Sequence, residues 1–496
     1  MTINSKTDDE KSTIFDHANY RKKRQHTFLL KTIAKYLFLF GVFFYFISVP
    51  QKHGVFNIFN NYTKYSTDAI ERLYLETLST SNFAGNWSKV YTSIPHLAGE
   101  GLELVNFTQQ KFEEYGLATE VETYDVYFNT PVSIGTGWKP KRTIVFASWD
   151  GEELGLLGST EYGEKNKKTL KSNCVGYLNV DVSVSGTNLN VQSSPFLNKI
   201  ILESLKQVNY DDDMTLYDHY FSKHEKIGIL GSGSDYTVFL EHLGIPSLDM
   251  GFTSGDEDPV YHYHSNYDSY HWMSTLMDPG FKYHNKLSQL FGLSLLKLSD
   301  RELLNTHISD YSVELKGYFD ELVSKLPDSW LGYSPSVSGM KTGGRGCMKM
   351  RKDMEELTKP TLGELVNGTS LEFNKFINTS ITIDSQVDSL QTQYDHIDEL
   401  PFYKRFPLEW KIFGFNQKLQ YFERIFLHKK GLKGRPWFKH VVYASGRDTG
   451  YEGFAFPGLK EALDDSNVED FYYWTKVIGK IGKKLNKLVK SKDGTF

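Results

Sequence analysis

Residues 142–159, RTIVFASWDGEELGLLGS, constrain the fold of this chain more than any other stretch. Residues 143–149 form an apolar run of strand length, rich in β-branched and aromatic side chains, and this pattern predicts a buried strand. The run ends in Asp-Gly-Glu-Glu at 150–153, and a helical pattern with Ser159 as its N-cap follows. Ligand sites in open α/β sheets form beyond the carboxyl ends of the strands. Three carboxylates therefore occupy a position where a site is expected.

Two adjacent glutamates, Glu152 and Glu153, can do two jobs at such a position. One can bind a metal ion through oxygen, and the other can take a proton from water. The competing interpretation is a solvated acidic turn. For an isolated Asp-Gly-Glu-Glu turn this second interpretation is favoured, because position in a fold does not by itself give function.

Length, charge and cysteine content limit the classes of function. The 496 residues allow about two to four domains. The formal net charge of −5 gives no reason to expect nucleic acid as a partner. Cys174 and Cys347 lack the spacing of metal ligands, so they predict two separate thiols and no thiolate metal site.

The N-terminal region predicts a membrane anchor. Residues 1–32 are polar and basic, and residues 33–49 form an apolar, aromatic run of 17 residues, at the short end of what a transmembrane helix needs. A cleaved signal peptide fits less well, because no small-residue cleavage site follows. Since the positive charges precede the span, residues 1–32 are expected in the cytoplasm and the bulk in the lumen or outside the cell, after a stem at 50–79. The expectation is a single-pass type II membrane protein of the secretory or vacuolar pathway.

Five N-glycosylation sequons support this orientation. All of them follow the predicted span and none precedes it: Asn61, Asn86, Asn106, Asn367 and Asn378. Each alone is a chance match at this composition, but their common placement predicts a glycoprotein.

From residue 142 to about residue 280, strand and helix patterns alternate. Strands are predicted at 143–149, 175–180 and 245–250, with helices at 159–171, 196–208 and 236–243. This alternation predicts an α/β domain at 80–280, with a mostly parallel sheet flanked by helices. Residues 281–496 show helical periods only, at 281–298, 311–324, 354–376, 383–394, 411–428, 460–464 and 468–489. They predict an all-α domain, and the last of its helices is amphipathic and basic.

Further candidate ligands follow the other predicted strands. Asp181 comes directly after the strand at 175–180, and the sequence YHYHSNYDSYH at 261–271 contains three histidines. Mixed carboxylate and imidazole ligands suit zinc. Taken singly, each histidine is more simply explained as structural.

Four segments together resemble peptidase family M28, in the branch that contains glutamate carboxypeptidase II, the transferrin receptor and fungal vacuolar-sorting relatives. They are FASWDGEELGLLGSTEY at 146–162, YLNVDVSVSG at 177–186, LGSGSDYTVFLEHLGIPS at 230–247 and YHSNYDSYHWM at 263–273. Near the C-terminus, HVVYA at 440–444 and FPG at 456–458 resemble the helical dimerisation domain of that branch. The resemblance implies a zinc-dependent exopeptidase that acts on peptide substrates and forms a homodimer.

The resemblance also assigns residue roles. Glu152 matches the general base that activates water, and Tyr263 matches a tyrosine that polarises the scissile carbonyl. Glu153 and His264 match ligands of one zinc ion, and Asp181 matches a ligand of a second. Two zinc sites are therefore expected from the family.

The sequence departs from the family pattern in two places. Near 129–141 the chain is shortened: the protease-associated domain and the first two metal ligands, two of an expected five, have no counterpart. The arginine patch that grips a C-terminal glutamate is also absent, since residues 248–252 read LDMGF. This favours a broader, aminopeptidase-like preference. A catalytically inactive receptor or protein-sorting adaptor, and a shortened form of an intact enzyme, are the alternatives.

Overall fold

The computed structural model describes residues 66–94, 102–119, 140–335, 359–448 and 450–490, all within one compact unit. The predicted tail at 1–32, the predicted span at 33–49 and the first part of the stem lie outside these residues. Within the described ranges, no helix combines the length and apolar character that crossing a bilayer requires.

Among the residues that the structure describes, three helices precede the sheet: α1 (Thr67–Thr80), α2 (Ala84–Tyr91) and α3 (Leu102–Glu114). The side chain of Ser66 caps α1 by accepting from the backbone N–H of Ala69 at 3.3 Å. A buried ion pair holds α1 to a later helix, at Lys282–Asp300, with Lys297 Nζ 2.7 Å from Glu71 Oε2. Helix α1 thus packs against that later helix.

In the part of the chain that the structure describes, the sheet contains three strands: β1 (Tyr177–Asn179), β2 (Asn188–Ser193) and β3 (Ser247–Thr253). Their order is β1-β3-β2, with β1 parallel and β2 antiparallel to β3. Strands β1 and β3 fall where apolar runs predict them. The sequence missed β2, and with it the sheet is mixed where a mostly parallel sheet was expected.

The helices around the sheet are α4 (Leu157–Lys165), α5 (Lys167–Asn173), α6 (Asn198–Leu205) and α7 (Leu216–Phe221). Shorter turns complete this region, at Glu152–Leu154, Pro195–Leu197 and Tyr270–Trp272, together with π-helical segments at Val238–His242 and Met273–Met277. One large apolar core runs continuously from this sheet into the helices that follow.

The predicted strand at 143–149 is wrong. These residues are not part of any strand, and most of them are exposed, including Val145 at 38% and Phe146 at 48%. The segment reaches the sheet only at its end, where Trp149 Nε1 donates to the Tyr177 hydroxyl of β1 at 3.0 Å. A strand forms only where a neighbour pairs with its backbone, and in the described residues the sheet ends at β1.

The C-terminal half is mainly helical, as expected, but it is not all-α, because it also contains a short antiparallel ribbon that the sequence did not predict. It contains α8 (Lys282–Asp300), α9 (Ile308–Ser324), α10 (Leu362–Asp395), α11 (Phe402–Gln420), α12 (Pro457–Asp464) and α13 (Val468–Lys490). Short 3-10 turns lie at Asp328–Trp330, Ile397–Glu399 and Glu423–Phe426, and strands β4 (Tyr443–Ser445) and β5 (Gly453–Ala455) form an antiparallel ribbon. Buried aromatic rings such as Phe373, Phe376 and Phe426 join these helices.

Candidate functional site

A tight turn carries the first candidate residues. Gly151 and Gly155 have positive φ values of 71° and 102°, and the 3-10 turn Glu152–Leu154 lies between them. A Cβ on Gly158 would come within 2.5 Å of the Asp150 carbonyl, so this position must be glycine. The turn therefore holds Glu152 and Glu153 at the end of the extended segment.

Ser159 is not the N-cap that the sequence predicts. Helix α4 begins two residues earlier, after Leu156, which has a left-handed backbone with φ of 61°. Ser159 is buried, and its hydroxyl donates to the Leu156 carbonyl at 3.3 Å. The tight turn, with its two left-handed glycines, sets where this helix begins.

The structure brings Glu153 and His264 together. His264 Nε2 lies 2.9 Å from Glu153 Oε2 and 3.1 Å from Oε1, although 111 residues separate them in sequence. His264 has a left-handed backbone, with φ of 55°. Non-glycine residues seldom adopt this conformation, and it is enriched where a side chain must be aimed at a site. The ring of Tyr263 stacks on the imidazole, with ring centres 3.7 Å apart.

Glu152 lies among other carboxylates. Burial raises the pKa of its carboxyl to about 7, and the negative charges of Asp181, Asp235 and Glu153 add to the rise, while His264 opposes it. All five predicted site residues are thus in one neighbourhood. The structure adds Asp235, which the resemblance did not assign.

Two further acidic side chains, Asp249 and Asp235, lie next to these carboxylates. The Asn179 amide donates to Asp249 Oδ1 at 2.8 Å and to Ser234 Oγ at 2.9 Å. Burial raises the pKa of Asp249 to about 6, the Asn179 amide opposes this, and the charge of Asp181 adds to it. Burial also raises the pKa of Asp235, against a hydrogen bond from Ser159. The Gly-Ser-Gly-Ser-Asp loop at 231–235 was the sequence signal for Asp235.

The helical half of the chain reaches the same site through Tyr451. A Cβ on Gly231 would lie 1.9 Å from the Tyr451 carbonyl oxygen, and one on Gly233 would lie 2.8 Å from the Tyr451 ring. The two glycines of the loop therefore allow this close approach. Tyr263 has a pKa raised by burial first, then by the charge of Glu153 and by Tyr451. Tyr451 itself is 75% exposed.

The donor atoms are of the types that zinc binds, but they are too few for a catalytic zinc site. Glu153 and His264 supply an oxygen and a nitrogen, the donor types that zinc binds, whereas a catalytic zinc site normally has three protein ligands. Among the side chains that the structure describes, no three of His, Cys, Asp or Glu are grouped so that they could hold a metal ion. His271 lies in the helical turn Tyr270–Trp272 and does not extend the pair. Residues 120–139, which contain most of the shortened region, lie outside the described residues.

Two family profiles match the chain. Peptidase family M28 matches residues 117–277, and the transferrin receptor-like dimerisation domain matches residues 368–490. The first contains the site, and the second contains α11, α12, α13 and most of α10. The match confirms the resemblance that the sequence motifs indicate.

Similar proteins carry names of more than one kind. A "Probable glutamate carboxypeptidase" of Arthroderma benhamiae is 37% identical over 343 residues, which are 67% of this chain and 40% of that protein. "Vacuolar protein sorting-associated protein 70" of Saccharomyces cerevisiae is 30% identical over 349 residues, 69% of this chain and 40% of that protein. "Aminopeptidase NAALADL1" of Rattus norvegicus is 29% identical over 342 residues, 66% of this chain and 40% of that protein. The match spans about two fifths of the length of each of these relatives.

Proposed function

Since residues 117–277 belong to peptidase family M28 and residues 368–490 are a transferrin receptor-like dimerisation domain, we propose that this protein is a membrane-anchored, zinc-dependent exopeptidase. The observation that carries the proposal is the contact between Glu153 and His264, two donors of the types that zinc binds, at 2.9 Å. Two side chains 111 residues apart have no local reason to meet on an exposed surface.

The remaining residues take roles from their positions. Glu153 and His264 would hold one zinc ion, and Asp181 would contribute to a second. When bound, zinc polarises the peptide carbonyl and lowers the pKa of water. Glu152, next to Glu153, accepts the proton of the attacking water and returns it to the leaving amine. Tyr263 directs its hydroxyl toward the developing oxyanion.

The substrate is a peptide, cleaved from one end. The sequence LDMGF at 248–252 provides no guanidinium group to bind two carboxylates, so cleavage specific for a C-terminal glutamate is not expected. An aminopeptidase-like preference does not require a guanidinium group at this surface. The membrane anchor is residues 33–49, in the type II orientation.

The protein would act as a homodimer through the dimerisation domain. Helix α11 lies within it and buries Leu408, Ile412 and Leu419 on one side. Its opposite face, the aromatic stripe, consists of large side chains that are 50–62% exposed: Tyr403, Phe406, Trp410 and Phe413. Exposed apolar patches of this size mark interaction surfaces, and a second copy would cover this one.

A receptor or protein-sorting adaptor without catalytic activity is the second candidate. The observation in its favour is that no group of three metal-binding side chains exists among the described residues. The relative named for vacuolar protein sorting is compatible with it. The segment 143–149 favours a third possibility, a shortened form of an intact enzyme, because no strand among the described residues pairs with this apolar strand sequence.

Metal analysis and turnover decide between these candidates. The full chain, purified in a mild detergent, should bind at least one zinc per chain and release residues from the end of short peptides. The variant Glu152→Gln should abolish turnover and keep the metal, whereas Glu161→Gln, an exposed glutamate of α4, should change neither. Less than one zinc per chain without turnover would support the adaptor. Equal loss of metal and turnover in Glu152→Gln would contradict the role of a base. Sequencing the transcript across residues 128–139 tests the third possibility, which fails if the junction reads as it does here.

A further inference from the structure

The C-terminal helix α13 presents a row of lysines that the proposed peptidase does not use. Lys476, Lys480, Lys484 and Lys487 recur at intervals of three or four residues, and Lys483 lies beside them. All five are exposed. Together with the exposed Lys430 they are called here the lysine face.

The apolar side of α13 is fully used inside the protein. Phe471, Trp474, Ile478, Ile481 and Leu485 are each 5% exposed or less and belong to the main core. Helix α13 is therefore rigidly seated, and its lysine face is held outward. It cannot insert its apolar side into a bilayer without leaving the core.

The positive charge of this face is not neutralised by the described residues. No acidic residue occurs from 471 to 490, and none of the six lysines takes part in an ion pair among the described side chains. Nearby pairs use other lysines, namely Lys433 with Asp470 and Lys460 with Asp464. The whole chain has a net charge of −5, so this concentration of positive charge does not follow from composition.

The pKa of His428 reflects the combined positive charge of the lysine face. Burial lowers the pKa of its imidazole, and the charges of Lys430, Lys484 and Lys480 lower it further. Lysines of the helix and of the adjoining loop thus act on the same imidazole. The hydroxyl of the exposed Tyr473 lies 3.0 Å from His428 Nε2. The loop and the helix form one continuous positive surface.

The form of this surface fits a flat anionic layer better than a discrete ligand. Residues 476–487 extend over about 17 Å of helix. Lysine is a flexible point charge, and it lacks the planar fork with which arginine recognises a single phosphate or carboxylate. An exposed tyrosine at the edge is typical of membrane interfaces.

We propose that the lysine face is a docking surface for the anionic headgroups of a phospholipid bilayer. Docking would fix the orientation of the helical half relative to the membrane. It depends on charge alone and is independent of the proposed peptidase activity. Each lysine held at an anionic surface should favour the docked state by roughly fivefold.

The test measures lysine reactivity in the full chain. The protein is reconstituted in nanodiscs of phosphatidylcholine, with or without roughly a third of phosphatidylserine. A water-soluble acetylating reagent then labels lysines, and mass spectrometry gives the extent of labelling at each. Labelling of the lysine face should fall about fivefold with phosphatidylserine and recover at high salt. Lys89, Lys167 and Lys168, exposed lysines on α2 and α5, should not change.

Charge reversal provides the matched pair of variants. In Lys480→Glu/Lys484→Glu/Lys487→Glu, the protection of Lys476 and Lys483 should disappear. In Lys89→Glu/Lys167→Glu/Lys168→Glu, it should remain. The single variant Lys484→Gln leaves all buried contacts of α13 in place, and it should reduce the protection part of the way even if the triple variant does not fold.

Two results would overturn the proposal. One is equal labelling of the lysine face in neutral and anionic nanodiscs. The other is protection by an acidic polypeptide or an oligonucleotide but not by phosphatidylserine, which would assign the face to a macromolecular partner instead.

Discussion

His264 and Glu153 meet at 2.9 Å across 111 residues of sequence, and both side chains are more than half exposed. An exposed pair of this kind contributes at most about 1 kcal/mol to folding, so stability does not explain why it forms. The contact brings together an oxygen and a nitrogen donor, the types that zinc binds. The chemistry proposed for the protein therefore depends on this pair.

Removing one donor of the pair tests the metal site. We expect His264→Ala to weaken zinc binding by at least roughly 100-fold, because losing a direct ligand costs no less than losing the groups that orient it. Equilibrium dialysis with zinc measures this without reference to activity. His271→Ala, in the same region of the chain, should bind zinc as the parent does. Equal losses in both variants would show that His264 is not a ligand.

The buried pair between Lys297 and Glu71 should be important for stability. Lys297→Met leaves the Glu71 carboxylate buried without its partner, and the free energy of unfolding should fall by about 3–5 kcal/mol. The double variant Glu71→Leu/Lys297→Met should recover most of that loss. Urea unfolding followed by circular dichroism measures both.

An exposed pair of the same length is the control. Lys325 Nζ lies 2.7 Å from Glu321 Oε1, with both side chains more than half exposed. Lys325→Met should therefore cost less than about 1 kcal/mol. A similar loss at both lysines would mean that burial does not determine the cost.

Glu241 should make the protein less stable as the pH rises. Burial raises the pKa of its fully buried carboxyl well above the usual 4.5, against smaller opposing effects of Arg435 and the Ser445 backbone. Between 4.5 and the raised value the folded state holds a proton that the unfolded state has lost, so stability falls by up to about 1.4 kcal/mol per pH unit. Below 4.5 both states are protonated and this effect vanishes.

Glu241→Gln removes that dependence. The variant should gain stability relative to the parent as the pH increases from 5 to about 7.5. Thermal unfolding at a series of pH values measures the difference. A constant difference between the two proteins would contradict a raised pKa at Glu241.

The aromatic stripe of α11 should hold the dimer together. Trp410→Glu places a charge at its centre, and we expect the dimer to dissociate at least roughly 30-fold more readily, the effect of an aromatic hot spot. Analytical ultracentrifugation measures the dissociation constant. Val313→Glu, a 57% exposed apolar position on α9, should leave the dimer intact. A dimer unaffected by Trp410→Glu would place the interface elsewhere.

Much of the secondary structure follows from local patterns. Apolar runs predicted β1 and β3, and helical periods predicted α6, α8 and α13 close to their observed ends. Helix α10 was expected as two helices, at 354–376 and 383–394, because the serine and threonine residues between them favour turns and caps over helix interiors. In the structure, the Ser380 hydroxyl is buried and lies 2.8 Å from that of Ser312 on α9. This tertiary hydrogen bond favours a continuous helix, and local propensity cannot reveal it.

The sequence indicated which residues could form a site but not how they are arranged. Carboxylates after predicted strands and a histidine-rich segment indicated a metal site, while the choice of Glu152, Glu153, Asp181, Tyr263 and His264 came from the family resemblance. The resemblance did not assign Asp235 and Asp249 to the site. Their place beside it depends on three-dimensional contacts through Asn179 and Ser159. The prediction of a strand at 143–149 was wrong for the same reason. Its residues have the propensity for a strand, but pairing is a property of neighbours.

The segment 143–149, with which no described strand pairs, should also affect how this protein behaves at high concentration. Seven consecutive residues, TIVFASW, carry no charge and no proline, and they lie extended and largely exposed. Such a sequence is a nucleus for cross-β aggregation when nothing pairs with it. In a cell it would be a binding site for chaperones, and in a test tube it would set the solubility limit. The residues that lead directly to the candidate site are therefore also an aggregation hazard.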